Sequence, residues 1–284
     1  MILGVAQDAG IPQILCNKTC CAKRFGDDAK REFVTSLAVF DRNEGNYWLF
    51  EASPDIKYQL SKVNKIMRND AQKLPEGIFL THAHMGHYTG LMHLGKEAIS
   101  SRGLSVYAMP RLKEFLSKNG PWSQLVDLEN IVINEISADS SIKLNGSVQV
   151  KAIEVPHRDE FSETVGYSIK ADRSVLFIPD IDKWEKWDRN IIELIRSHDI
   201  VFIDGTFFSA TELPGRNMNE IPHPFIVESM KLFNDLSLEQ KNKIHFIHFN
   251  HSNPVYESYS KERKTVIDKG FRVAETGQVE SLYF

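Results

Sequence analysis

Short hydrophobic runs, most of them rich in β-branched and aromatic residues, recur along the chain and are separated by turn residues. Runs of this length and composition are typical of β-strands. They predict a first strand at residues 1–5 and further strands at 34–40, 47–50, 78–81, 105–107, 131–136, 148–155, 165–169, 175–178, 200–203 and 244–249.

Other segments repeat their apolar residues at intervals of three or four, which predicts helices. They are 54–66, 111–119, 183–197, 224–235 and 256–269. Two mixed sheets packed face to face, with helices outside, fit this order of elements best. No repeat or linker-like stretch divides the 284 residues, so we expect one α/β domain spanning 1–284.

The overall composition excludes some classes of partner. The chain is 42% hydrophobic and 25% charged with a net charge of −4, and it has no lysine- and arginine-rich block. Its apolar runs are all shorter than the ~18 residues that a membrane helix needs. We therefore expect a small-molecule substrate and neither a nucleic acid nor a membrane as partner.

The first residues bear on location in the cell. They lack the charged region and long apolar stretch of a signal peptide. We therefore expect a cytoplasmic protein, or a periplasmic one if a leader has been removed. The oligomeric state is left open by the sequence.

Three histidines follow the predicted strand at 78–81 within six residues: His82, His84 and His87. His82 and His84 are two residues apart, so at an extended strand end their side chains share a face. Neutral imidazoles gathered in this way are ligands for zinc, iron or manganese. The segment therefore predicts a metal site.

The segment Thr81–His87 resembles the His-x-His-x-Asp-His motif of the metallo-β-lactamase superfamily. This resemblance implies a four-layer αββα sandwich with a metal centre at the strand ends between the sheets. It also implies His157 as the third histidine of the first metal, Asp180 as a bridging carboxylate and His248 as a ligand of the second metal. One or two Zn²⁺ ions are expected, with Mn²⁺ or Fe²⁺ as alternatives.

Four stretches are similar to one branch, the pyrroloquinoline quinone biosynthesis protein B family. They are residues 4–13, 51–60, 204–207 and 248–254, and they extend from the first strand into the last third of the chain. The cluster of Cys16, Cys20 and Cys21 resembles that of phosphodiesterases from the phosphonate-degradation branch.

Gly86 departs from the superfamily motif, because it stands where the motif carries an aspartate. Without that carboxylate the second metal is expected to retain His87, Asp180 and His248. Two histidines and one carboxylate suit Fe²⁺ better than Zn²⁺. The first site, with His82, His84 and His157, keeps the three-histidine set that holds Zn²⁺ in hydrolases.

Three clustered cysteines favour a metal site over a disulfide framework. A tetrahedral structural zinc needs a fourth ligand beside Cys16, Cys20 and Cys21. His251 is the candidate, because the related phosphodiesterases close such a site with a histidine at this spacing. The alternative is that the three cysteines are simply free or buried.

Asp204 and His223 complete the candidate catalytic residues, beside Asp180. Asp204 follows a predicted strand and is expected to face the metals. His223 lies between two prolines before a helix and is a candidate proton donor to a leaving group.

The leading functional hypothesis is hydrolysis of a phosphodiester or related ester by metal-bound hydroxide. The alternatives are a role in quinone cofactor biosynthesis or oxygen chemistry at non-haem iron, and a non-enzymatic metal-dependent binding protein. Metal identity distinguishes the first two, since zinc or manganese pairs favour hydrolysis and a single iron favours oxidation.

Overall fold

The computed structural model describes residues 1–27, 31–68 and 72–283. Its first sheet has six strands in sequential order. The first two pairings are antiparallel and the other three are parallel. The strands are β1 (Ile2–Gly4), β2 (Ser36–Asp41), β3 (Asn46–Phe50), β4 (Gly77–Phe79), β5 (Leu104–Ala108) and β6 (Ile131–Glu135).

The second sheet has seven strands, also in sequential order. Its first four strands pair antiparallel, and the last four pair parallel with one another. They are β7 (Ser141–Lys143), β8 (Gln149–Glu154), β9 (Val165–Lys170), β10 (Ser174–Ile178), β11 (Ile200–Asp204), β12 (Ile244–Ile247) and β13 (Arg272–Val273).

Helices lie on the outer faces of both sheets and in the connections. They are α1 (Thr19–Ala22), α2 (Ile56–Met67), α3 (Met85–Tyr88), α4 (Pro110–Lys118), α5 (Trp122–Asp127), α6 (Ile191–Ser197), α7 (Ile226–Leu232), α8 (Leu238–Asn242) and α9 (Lys261–Asp268). Short 3₁₀ turns are found at Thr89–Leu94, Trp184–Lys186, Met218–Glu220 and Pro254–Tyr256.

Alternation of side chains along β3 explains the layers. Trp48 and Phe50 point into the core between the sheets, whereas Tyr47 and Leu49 belong to a second core on the outer face. Successive residues of a strand point to opposite faces, so a run that is apolar throughout must be covered on both sides. The outer core of this sheet is completed by α2, α4 and α5.

This architecture confirms the predicted α/β fold, a four-layer αββα metallo-β-lactamase sandwich. One predicted element was wrong: residues 183–197 do not form a single helix. The chain makes a 3₁₀ turn at Trp184–Lys186 and enters α6 only at Ile191. Asn190 begins that helix, because its side-chain oxygen accepts a hydrogen bond from the Ile192 amide at 3.0 Å.

Four other helices, α2, α4, α7 and α9, lie inside the predicted segments 54–66, 111–119, 224–235 and 256–269 to within one residue. Across the described ranges, no helix has the length and apolarity needed to cross a membrane.

Candidate metal centre

The predicted active-site ligands meet at one edge of the sandwich. The turn carrying His82 follows β4, His157 follows β8, Asp180 follows β10 and His248 follows β12. These four strands point their carboxyl ends toward the same edge. Polar side chains gather there because the strands end and the loops diverge, as at binding sites of other α/β sheets.

Asp180 lies at the centre of this group and is buried. Its Oδ2 atom lies 3.3 Å from His82 Nε2, 3.8 Å from His84 Nδ1, 3.2 Å from His157 Nε2, 3.9 Å from His87 Nε2 and 4.0 Å from His248 Nε2. This one oxygen therefore faces five imidazole rings that come from both sheets.

The first cluster contains His82, His84, His157 and Asp180, whose ligand atoms all lie within 4.8 Å of one another. Two atoms that bind one zinc ion at ~2.1 Å in tetrahedral geometry are separated by about 3.4 Å. The observed separations of 3.2–3.8 Å from Asp180 Oδ2 therefore fit a shared ion.

The second cluster differs from the sequence-based expectation. His87 and His248 are present as predicted, and the carboxylate of Asp8 joins them within the same 4.8 Å limit. Asp8 Oδ1 lies 3.2 Å from His87 Nε2. The prediction of His87, Asp180 and His248 for this site was therefore incomplete. It left out Asp8, whose carboxylate comes from the loop after β1 and lies beside the two histidines.

Two threonines orient histidines of the two clusters in the same way. Thr81 donates its hydroxyl proton to Glu51 at 2.6 Å, so its oxygen accepts from His82 Nδ1 at 2.8 Å. Thr206 donates to Asp204 Oδ1 at 2.7 Å and contacts His248 Nδ1 at 2.9 Å. Protonation at Nδ1 leaves Nε2 of each ring with a lone pair directed toward Asp180, which is the form that binds a metal.

Glu51 and Asp204 each support a second histidine directly. Glu51 Oε1 lies 3.1 Å from His87 Nδ1, and Asp204 Oδ2 lies 2.8 Å from His223 Nδ1. Both carboxylates are fully buried. Glu51 and His248 also adopt the left-handed backbone conformation, with φ of 78° and 66°. Such conformations are uncommon outside glycine and concentrate at functional sites.

Burial and neighbouring charges shift the pKa values of this cluster. Burial lowers the pKa of His82 well below its usual range, and the charge of His87 lowers it further. Burial also lowers the pKa of His248 to about 4. Burial opposes protonation of His223 too, but the carboxylates of Asp204 and Asp180 outweigh it and raise its pKa to about 10. Carboxylate neighbours raise the pKa of His87 in the same direction, despite its burial, so His87 and His223 both differ in this respect from His82 and His248.

Several polar atoms facing the centre are buried without a hydrogen-bond partner. They are Asp8 Oδ1, Asp180 Oδ1, His82 Nε2, His87 Nε2, both ring nitrogens of His157, and His248 Nε2. Unsatisfied buried polar atoms are rare, because each costs about 1–3 kcal/mol. Their concentration around one carboxylate fits divalent metal ions, and the imidazole and carboxylate donors suit Zn²⁺, Mn²⁺ or Fe²⁺.

The cysteine cluster lies apart from this centre and has the predicted composition. Cys16, Cys20, Cys21 and His251 bring their ligand atoms within 4.8 Å of one another. His251 Nδ1 lies 3.6 Å from Cys20 Sγ and 3.4 Å from Cys21 Sγ, and the Cys16 and Cys20 sulfurs are 3.9 Å apart. Ligands ~2.0–2.3 Å from a tetrahedral zinc have about these separations.

Every predicted site residue therefore falls into one of these two groups. The three predicted catalytic residues, Asp180, Asp204 and His223, are in contact with one another, since His223 Nδ1 also lies 3.2 Å from Asp180 Oδ1. Sequence reasoning assigned no role to Asp8, Glu51 or Thr206. Each lies in a stretch that matched the quinone-biosynthesis branch, and that match was the available signal.

A further carboxylate, the half-buried Glu212, contacts the loop that carries His251. It accepts hydrogen bonds from the Ser252 hydroxyl at 2.6 Å and the Phe208 amide at 2.7 Å. Burial raises its pKa from an ordinary 4.5 to about 7. The folded protein thus holds a proton that the unfolded chain releases, so this group makes stability fall as pH rises from about 4.5 to 7.

We expect the Glu212→Gln variant to lose this part of the pH dependence. Its melting temperature should decline less than that of the wild type between pH 5 and 7.5, as measured by differential scanning fluorimetry. Parallel pH profiles for the two proteins would contradict this assignment.

The chain resembles known proteins along nearly its full length. The family described as Beta-lactamase superfamily domain matches residues 46–247. The coenzyme PQQ synthesis protein B of Rhizobium meliloti (strain 1021) is 25% identical over 303 residues, covering 98% of this chain and 95% of that protein.

Solved structures show the same fold. Zn²⁺-bound PqqB from Methylobacterium extorquens superposes with a TM-score of 0.80 at 22% identity, covering 98% of this chain and 97% of that one. A diphosphatase from the PhnP family gives a TM-score of 0.67 at 18% identity, covering 98% of this chain and 94% of that one.

Proposed function

The chain belongs to the β-lactamase superfamily, and we propose that it is a metal-dependent hydrolase acting on a phosphodiester or related ester. One observation carries this proposal: a single buried carboxylate, Asp180, faces two adjacent histidine clusters. Such an arrangement suits a pair of ions that share a bridging ligand. Paired ions can stabilise both the attacking and the leaving oxygen of a displacement at phosphorus.

Metal ions bound there would lower the pKa of coordinated water to about 7 and polarise the ester. The chain's own residues hold the reacting groups in place. Glu51 and Asp204 fix the orientation of their histidines, directly or through Thr81 and Thr206. A rigid, already oriented set of donors stabilises developing charge without reorganisation during the reaction.

The surroundings of His84 support an anionic substrate. Its side chain is 13% exposed, whereas His82 and Asp180 are almost fully buried. Arg158 Nη2 lies 3.2 Å from His84 Nε2, and the Arg158 side chain is 55% exposed. Glu160 also faces this ring at 3.6 Å. The guanidinium therefore stands at the accessible side of the cluster, where it can pair with a phosphate oxygen.

The test is hydrolysis by protein reconstituted with Zn²⁺ or Mn²⁺. We expect turnover of bis(p-nitrophenyl) phosphate that exceeds turnover of the phosphomonoester, a thioester and a β-lactam, and that is lost on chelation. Absence of diester cleavage by protein that carries metal at the histidine clusters would contradict the proposal. It would favour a metal-dependent binding protein.

A role in quinone cofactor biosynthesis is the second candidate. It is favoured by identity of 25% that extends over 98% of the chain to a coenzyme PQQ synthesis protein B. Metal content after purification without added metal separates the two hypotheses. A single iron with oxygen consumption favours the biosynthetic role, and two zinc or manganese ions favour hydrolysis.

Replacement of His223 tests its role as proton donor. We expect His223→Asn to lower kcat/KM roughly 10²–10⁴-fold for a diester with an alkoxide leaving group. A diester that releases p-nitrophenolate should lose much less, because that leaving group needs no proton. Steady-state kinetics on both substrates give the comparison.

His198→Asn is the matched control, because His198 is also buried but hydrogen-bonds Ser168 away from the metal centre. Equal losses on both leaving groups in His223→Asn would show that the residue acts only on structure or metal binding.

A further inference from the structure

Asp8 lies against Gly86, the position at which the superfamily motif carries an aspartate that this chain lacks. We propose that Asp8 supplies the second metal with the carboxylate that the superfamily motif places at position 86, giving this chain a complete second site. The inference rests on the proposed metal centre and deepens it. It assigns the site a divalent ion such as Zn²⁺ or Mn²⁺, held by Asp8, His87, His248 and the shared Asp180.

The position of the carboxylate is the first argument. Asp8 Oδ1 lies 3.2 Å from His87 Nε2 and within 4.8 Å of the ligand nitrogen of His248. Both Asp8 Oδ1 and His87 Nε2 are buried without a hydrogen-bond partner. A separation near 3.4 Å is about what two ligands of one tetrahedral ion require. These atoms thus have the spacing and the unsatisfied valence of ligands.

The second argument is steric and independent of the first. A Cβ atom added to Gly86 would lie 2.3 Å from Asp8 Oδ1 and 2.5 Å from Asp8 Cα. The second contact involves the backbone, so rotation of a side chain cannot relieve it. An aspartate at position 86 and Asp8 in its observed place therefore exclude each other. Gly86 leaves room for a ligand from another segment of the chain. The absence of the motif aspartate therefore does not imply that the second metal site is lost.

The loop carrying Asp8 is fixed to both sheets. Ala6 bridges Val34 on one side and Phe249 on the other. The Gln7 amide donates to the Phe249 carbonyl at 2.8 Å. Because Phe249 directly follows His248, the same contact sets Asp8 and His248 relative to each other. Ligands held on such a scaffold are preorganised for metal binding.

The ligand set also bears on the choice of metal. With Asp8, the second site offers two histidines and two carboxylates rather than the two histidines and one carboxylate expected from the sequence with Gly86. The latter composition, with open positions, is typical of non-haem iron oxygenases. A fourth ligand from the chain closes one of those positions, which favours a non-redox ion paired with the first site.

The experiment exchanges the ligand between the two positions. Wild type, Asp8→Ala, Gly86→Asp and the double variant Asp8→Gly/Gly86→Asp are loaded with Zn²⁺, desalted and analysed for metal by mass spectrometry. We expect Asp8→Ala to bind one equivalent fewer than the wild type. The double variant should not regain it, because the Cα atom of residue 8 would still lie 2.5 Å from a Cβ atom at position 86 and keep an aspartate there out of the site. Gly86→Asp alone should lose both metal and thermal stability.

Gln7→Ala is the matched control in the same loop. Manganese loading adds a second readout, since two adjacent Mn²⁺ ions give an exchange-coupled electron paramagnetic resonance spectrum and a single ion does not. We expect the coupled signal in wild type and Gln7→Ala, and its loss in Asp8→Ala. Retention of full metal content and of the coupled spectrum in Asp8→Ala would overturn the proposal. A wild type without metal at the histidine clusters would instead contradict the proposed function.

Discussion

Replacement of Asp180 by asparagine is expected to remove metal from both histidine clusters and to lower diester hydrolysis by at least roughly 10²–10³-fold. Asp180 Oδ2 lies within 4.0 Å of nitrogens from both groups of histidines. Its negative charge offsets the repulsion between two cations, and an amide of the same shape cannot. Metal analysis and steady-state kinetics on the reconstituted variant measure the two effects separately.

Asp182→Asn provides the matched control for this experiment. Asp182 is a buried carboxylate two residues further along the same loop, but it pairs with Lys186 at 2.7 Å. We expect that variant to keep its metals and most of its activity. If Asp180→Asn retained full metal content and turnover within about tenfold of wild type, Asp180 would not be the shared ligand.

The histidine motif was readable from the sequence because its chemistry is local. His82, His84 and His87 lie within six residues after a strand, so the extended strand end and the short helix α3 that follows bring them together. His157, Asp180 and His248 each follow a hydrophobic run as well. The resemblance to the superfamily supplied these three as ligands, and the structure shows that the strands before them end at the same edge as β4.

The sequence did not assign roles to Asp8, Glu51 and Thr206, because these roles depend on contacts with residues that are distant along the chain. Asp8 reaches His87 across the space left by Gly86, and a glycine in sequence does not reveal what fills that space. Glu51 supports His87 and, through Thr81, orients His82 from a neighbouring strand. Contacts of this kind depend on strand register, which the pattern of apolar residues does not specify for polar residues at strand ends.

The predicted helix at 183–197 is a case in which the local pattern of apolar residues led to a wrong prediction. Trp184 and Trp187 have helical spacing, yet both are buried by turns of the chain. Trp187 donates to the Glu154 carbonyl at 2.9 Å, and Arg189 pairs with Asp139 at 2.7 Å. These tertiary contacts hold the segment in an irregular path until Asn190 caps α6, so packing overrides the periodicity.

Loss of the cysteine site is expected to have the second large effect, on stability. Cys21→Ser and His251→Ala each remove one of four ligands whose atoms lie within 4.8 Å of one another. Binding of a structural zinc contributes directly to folding free energy. We therefore expect both variants to lose one equivalent of zinc and to melt on the order of 10 °C lower than the wild type. Zinc analysis and calorimetry measure these changes.

The same variants should weaken the second active-site ion while the first is retained. Cys21 Sγ accepts a hydrogen bond from the Gln13 amide at 3.3 Å, and His251 lies three residues after His248, so the cysteine site anchors the loop that carries Asp8. The His82 cluster has no ligand in that loop. His93→Ala, which removes a histidine outside both groups, should leave metal content and melting temperature unchanged. Unaltered zinc content in Cys21→Ser and His251→Ala would show that the four residues do not hold a metal.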